Sequence, residues 1–121
     1  MTQMVYRILD HADWTAWQAD GVYAGAALDL ADGFVHMSYA DQLGGTLARH
    51  FAGRDGLMLA AIDADRLDPG LLRDEPGSGG QMFPHYYGAL PLRAVQQVYA
   101  LPLNAAGEHV PPPEIADAGP L

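Results

Sequence analysis

Two short stretches of the chain hold side chains whose types and spacing can do chemistry. The first is "FVHMS", Phe34 to Ser38. Residues two apart in a strand point to one side, so Phe34, His36 and Ser38 share a face with Val35 and Met37 opposite. Ser38 stands just before a helical pattern and is placed to cap it, and Asp41 three residues on gives a weaker form of the capping box. A histidine beside a helix N-terminus offers an anion backbone N–H groups and partial positive charge, while the imidazole can bond a ribose hydroxyl. The plainer reading is a capping serine and a buried histidine with one hydrogen bond, and these residues alone fit both.

The second stretch is "SGGQMFPHYYG", with glycines on either side of Phe83, His85, Tyr86 and Tyr87. Pro84 forces Phe83 to be extended, and the glycines permit close approach of backbone to a ligand. Phe83, Tyr86 or Tyr87 can stack on a flat heterocycle, and His85 can bond its edge or a ribose. A packed lid over a sheet has the same composition. Arg7, Arg49, Arg73 and Arg93 are candidates for a phosphate clamp. Asp74 and Glu75, the carboxylates nearest the Gly-rich loop, are candidates for a base or a stabiliser of a developing cation.

The other histidines are weaker candidates. His11 sits in a helix cap region, His50 near a helix C-terminus where its charge is favourable, and His109 in the tail. No two histidines have the i, i+4 spacing of a helical metal motif. A metal-dependent hydrolase would have to gather His36, His85 and an Asp from separate segments, and no metal is expected. Neither G-x-S-x-G nor G-x-G-x-x-G occurs, which removes the commonest hydrolase and dinucleotide motifs.

Composition narrows the field further. The formal charge is −9 and every basic residue is arginine, so no nucleic acid is expected as a partner, although one or two local arginines can hold a small anion. The absence of lysine excludes Schiff-base chemistry and a P-loop lysine, and the absence of cysteine excludes disulfides and thiolate catalysis. With no secretory signal and no apolar run of membrane-spanning length, the expected place is the cytoplasm, with no membrane partner. A monomer or homodimer fits equally.

These residues must be positioned by a small set of elements. "MVYRIL" alternates as a first strand, with Val5, Arg7 and Leu9 on one face and Tyr6 and Ile8 on the other. "DHADWTAWQADG" reads as a short helix capped by Asp10 or Asp13 and stopped by Gly21. "VYAGAALDLADG" has no clear period and reads as a loop with at most one helical turn. "YADQLGGTLARHF" is a helix with Ala40, Leu43, Leu47 and Phe51 on one stripe. Gly44 and Gly45 inside it should each cost about 0.8–1 kcal/mol against alanine, which suggests a close approach to the backbone there. "LMLAAID" reads as a central strand, "LLRDE" as a short edge strand, and "RAVQQVYALPL" closes the sheet. "PGSGGQMFPHYYGALP" is too rich in Gly and Pro for regular structure. The expected organisation is a single α+β domain over residues 1–103, a small split antiparallel or mixed sheet with two or three helices, and a loosely attached Pro/Gly-rich tail over 104–121.

Through "DGFVHMSYADQ", "GGQMFPHYYGAL" and the initial "YRI", the chain resembles the bacterial family known as domain of unknown function 952, over roughly residues 5 to 102. The resemblance implies a distant relationship to the ADP-ribosyltransferase fold, nearest the tRNA 2′-phosphotransferase branch, with NAD or a related adenosine diphosphate ligand in a cleft. His36 and Ser38 match the histidine and hydroxyl pair that contacts the adenosine ribose in that superfamily. His85 or Tyr87 then lies on the nicotinamide side, Phe83 covers the ring, and an arginine such as Arg7 holds the diphosphate. On this reading His36 and His85 are the candidate catalytic residues. The chain departs from the superfamily where a late glutamate is common: "RAVQQVYAL" offers only Gln96 and Gln97. A non-catalytic nucleotide-sensing module is the alternative.

Overall fold

The structure is a computed structural model and describes residues 3–116. Its frame is the first strand, Met4–Asp10 (β1), which is buried on both faces. Val5 and Leu9 pack to one side, and Tyr6 and Ile8 to the other. Leu57–Asp63 (β4) lies between β1 and Val95–Leu101 (β8) in an antiparallel sheet of order β1-β4-β8. A central strand covered on both faces has no polar side to show, hence the unbroken apolar run of β4.

Helices cover this sheet from two directions. His11–Asp20 (α1) starts where the Asp10 side chain accepts the Asp13 N–H at 2.8 Å and ends at Gly21, in the left-handed conformation at φ 76°. It buries Trp17 completely beside Tyr23, with the rings stacked 5.1 Å apart. Leu43–His50 (α3) lays Leu43 and Leu47 on the Tyr6 face, each burial contributing about 1.5–3 kcal/mol. A 3-10 turn over Ala40–Gln42 precedes it, so the expected helix forms in two pieces.

A second sheet joins Val35–His36 (β3), Met82–Tyr86 (β6) and Leu72–Pro76 (β5) in the order β3-β6-β5. Val22–Tyr23 (β2) pairs separately with Leu90–Pro91 (β7). Every pairing among the described residues is antiparallel, giving an α+β domain of antiparallel sheets and few helices. No helix among the described residues is long and apolar enough to cross a membrane.

Several expectations need correction. The stretch read as irregular contains β6, the central strand of the second sheet; Pro84 and Tyr86 are buried on one side of it. Proline fits because the Pro84 carbonyl accepts the Met37 N–H at 3.1 Å while no N–H is available to return the bond, so the ladder to β3 ends at His36. The strand expected over Phe34–Ser38 is therefore short. "VYAGAALDLADG" contains β2 and a helix, Ala27–Asp32 (α2). A Cβ on Gly44 or Gly45 would meet nothing within 4 Å, so nothing presses on the backbone of α3 there. The expected tail returns to the core over its described part: Leu103 bridges His109, and Ile115 in Pro113–Ala116 (α4) is buried among Tyr6, Leu43 and Leu101. Residues 117–121 of that tail lie outside the described residues.

Candidate functional site

The site begins with a charge on a core face. Alternation along β1 sets Arg7 between Val5 and Leu9, where it is 8% exposed, and a buried guanidinium is tolerable only when it is paired with an opposite charge and hydrogen-bonded. The partner comes from α2. Asp29 receives both terminal nitrogens of Arg7 in a bidentate pair, each at 2.8 Å. The same nitrogens also donate to the His36 carbonyl at 2.9 Å and to the Tyr23 hydroxyl at 3.0 Å, and Tyr23 in turn donates to Asp13.

Asp29 also accepts the Ala26 and His36 backbone N–H groups, at 2.7 and 2.8 Å, and the His36 ring Nδ1 at 2.7 Å. Gly25, at φ 106°, makes room for it: a Cβ there would stand 2.3 Å from the Asp29 Cβ. Burial pushes the Asp29 carboxyl upward, but the bonds from His36 and Arg7 and the charge of Arg7 outweigh it and hold it well below the usual carboxylate range.

His36 is clamped at both ring nitrogens. Nδ1 meets Asp29, and Nε2 meets Asp32 at 2.9 Å. An ionised carboxylate can only accept, so this arrangement favours a proton on each nitrogen. The bond to Asp29 is the main reason that its pKa rises, against the opposing effect of burial.

His85 is the register partner of His36 across β3 and β6, with ring centroids 5.5 Å apart. Its Nδ1 lies 3.0 Å from Glu75 Oε1 on β5, an oxygen that also receives the Tyr87 hydroxyl at 2.6 Å. Phe34 stacks on the His85 ring at 4.1 Å. The bonds from Tyr87 and then His85 lower the Glu75 carboxyl.

A cleft of about 670 Å³ opens between the two sheets, within the usual range for small-molecule sites. Tyr6 and Ser38 exchange backbone hydrogen bonds at 2.8 and 2.9 Å, and no further bridge joins β1 to the second sheet among the described residues. Beyond that bridge the strands part. Phe34, Phe83, His36 and His85 form one wall of the gap, and Thr46 and Arg49 of α3 belong to another. Arg49, His50 and Arg54 all line the cleft, and among the described residues none of the three has an ion-pair partner.

Of the residues picked from sequence, His36, Ser38, Phe83, His85 and Arg7 all border the cleft. Tyr87 does not; it stands behind His85 on Glu75, with Arg73 over its ring. Arg7 cannot clamp a diphosphate, because its terminal nitrogens are committed to Asp29, Tyr23 and His36. Ser38 does not cap a helix either: its hydroxyl bonds Thr46 at 3.0 Å, and the Tyr39 N–H is taken by the Gln42 side chain. Asp74 bonds Tyr39, Arg93 lies outside the cleft, and His109 bonds the Arg54 carbonyl. No three His, Asp or Glu side chains converge as metal ligands among the described residues.

Sequence reasoning missed Asp29, Asp32, Tyr23, Thr46 and Arg54. The available signal was spacing: Asp29 and Asp32 are three apart, which is one face of a helix, and Asp32 is four residues before His36.

Fold and site together define a small antiparallel α+β domain with a paired histidine and carboxylate cleft between two sheets. Residues 8–98 match the family model described as "Protein of unknown function (DUF952)", and the chain belongs to that family. It is similar to protein CC0527 of Caulobacter crescentus, whose X-ray structure superposes with a TM-score of 0.86 at 38% identity, covering 93% of this chain and 98% of that one. The solution NMR structure of CC0527 gives a TM-score of 0.78 at 40% identity, covering 87% of this chain and 90% of that one. Among curated proteins none matches the chain.

Proposed function

We propose that the cleft binds NAD or a related adenosine diphosphate ligand, as an ADP-ribosyltransferase-like domain would. One observation carries the reading: in a protein of charge −9, the cleft joins an aromatic wall of Phe34, Phe83 and His85 to Arg49 and Arg54, which have no ion-pair partner among the described residues. A ligand with a flat ring at one end and anionic groups at the other satisfies both surfaces. A simple anion has no use for the aromatic wall, and an apolar ligand has none for the arginines.

The roles then divide by geometry. Arg49 and Arg54 hold the diphosphate, the part that Arg7 cannot take. His36, held between Asp29 and Asp32, stands beside the ribose. Its Nε2–H reaches a ribose hydroxyl when Asp32, whose side chain is 42% exposed, turns aside. Phe83 stacks on a ring of the ligand. A sensing module is the second reading, supported by β8 carrying Gln96 and Gln97 and no glutamate, the residue many ADP-ribosyltransferases use late in the sheet.

Calorimetry with NAD, ADP-ribose and AMP tests the proposal. Saturable binding shared by NAD and ADP-ribose, weakened in Phe83→Ala, is the expected result, and release of nicotinamide separates an enzyme from a sensor. No heat with any of the three ligands would overturn it.

A further inference from the structure

The two histidines that face each other across the cleft have different partners. His36 has both ring nitrogens bonded to carboxylates and no lone pair to offer. In His85, Glu75 accepts the Nδ1–H at 3.0 Å, which leaves Nε2 as the nitrogen able to accept. Among the described residues, the buried side-chain nitrogens that lack a partner are Arg7 Nε and Trp17 Nε1. Among the described residues His85 Nε2 makes no hydrogen bond, and it is not one of these buried, unpartnered atoms. The space that His85 lines is the cleft.

We infer that His85 is the proton acceptor of the cleft, held by Glu75 as a positioning residue, and that it serves a hydroxyl nucleophile attacking the N-ribosidic carbon of the bound ligand. The inference rests on the nucleotide reading above. A histidine oriented by a carboxylate through Nδ1 is the arrangement by which a hydroxyl is activated in hydrolases. As the hydroxyl oxygen bonds to the anomeric carbon, the bond from that carbon to the nicotinamide nitrogen breaks and its electron pair leaves with nicotinamide, neutralising the pyridinium. The hydroxyl proton passes to His85 Nε2. The imidazolium so formed faces the Glu75 carboxylate and the Tyr87 hydroxyl, with Arg73 beyond on β5 and with His36 opposite, whose own charge is matched by Asp29 and Asp32. Water as the nucleophile gives ADP-ribose, and an alcohol gives a transfer product.

The test is nicotinamide release from NAD by wild type, His85→Asn and Glu75→Gln, with NAD affinity measured alongside. His85→Asn should slow release by about 100-fold or more, the usual range for losing a general base, a larger factor than any accompanying loss of NAD affinity. Because His85 is buried, Glu75→Gln on the edge strand is the second variant. It should slow release, and in ¹⁵N NMR it should move the His85 ring nitrogen signals away from their wild-type positions, because the Nδ1 contact to the Glu75 carboxylate is lost. Release from His85→Asn at the wild-type rate overturns the inference, as does wild type that binds NAD and releases nothing. A protein that does not bind NAD overturns the inference, and one that gives no heat with NAD, ADP-ribose or AMP overturns the nucleotide reading as well.

Discussion

Asp29 accepts from both terminal nitrogens of Arg7, from two backbone N–H groups and from the His36 ring. Replacing it with asparagine removes the charge that balances a guanidinium 8% exposed. An uncompensated buried charge costs about 3–5 kcal/mol, so Asp29→Asn should lower the urea-unfolding free energy by that order. His36 sets the opposite pH limb. Its folded pKa is raised, so the folded protein binds more protons than the unfolded chain above about pH 6.5. Stability from this group is fully present below that pH and is lost as pH rises through the folded value. Asp29, held low, contributes stability present above the ordinary carboxylate range and lost as pH falls through its folded value. Unfolding midpoints followed across pH should therefore form a dome, and His36→Gln should flatten its alkaline side.

At the scale of elements, two glycines make opposite predictions. Gly25→Ala forces a Cβ to 2.3 Å from Asp29 in a left-handed backbone conformation and should displace α2, lowering the melting temperature and disordering the His36 clamp. Gly44→Ala meets nothing within 4 Å in a helix and should stabilise by about 0.5–1 kcal/mol. β1, α1, α3, β4 and β8 were legible in sequence because each follows one rule without conflict: alternation, a cap and a left-handed glycine, a stripe, or a continuous apolar run. α2 was hidden because its buried residue is Asp29, a polar side chain that counts against burial until Arg7 is placed opposite. β6 was hidden because Pro84 reads as a strand breaker, and only its register shows that the missing N–H falls where pairing to β3 stops. In the same way His36, Ser38, Phe83 and His85 could be picked by residue type, but the carboxylates that fix both histidines come from α2 and β5 and required the fold.

For the whole molecule, the distribution of charge decides what the cleft can hold. Arg7 is neutralised by Asp29, and Arg66 is paired with Asp63 at 3.5 Å, so among the described residues the arginines left to the cleft are Arg49 and Arg54. Arg49→Ala and Arg54→Ala should each weaken ADP-ribose binding about tenfold or more, the equivalent of one charge-assisted hydrogen bond, while changing stability by less than about 0.5 kcal/mol because both are exposed. Raising the salt concentration should weaken binding in wild type more than in either variant. The most direct measurement of the central claim is a titration of the ¹⁵N-labelled protein with ADP-ribose, followed by amide NMR. The account predicts saturable shifts on both sides of the gap, at His36 and Phe83 on one and at Gly45, Thr46 and Arg49 on the other. An unchanged spectrum, or shifts confined to residues outside the cleft, would contradict it.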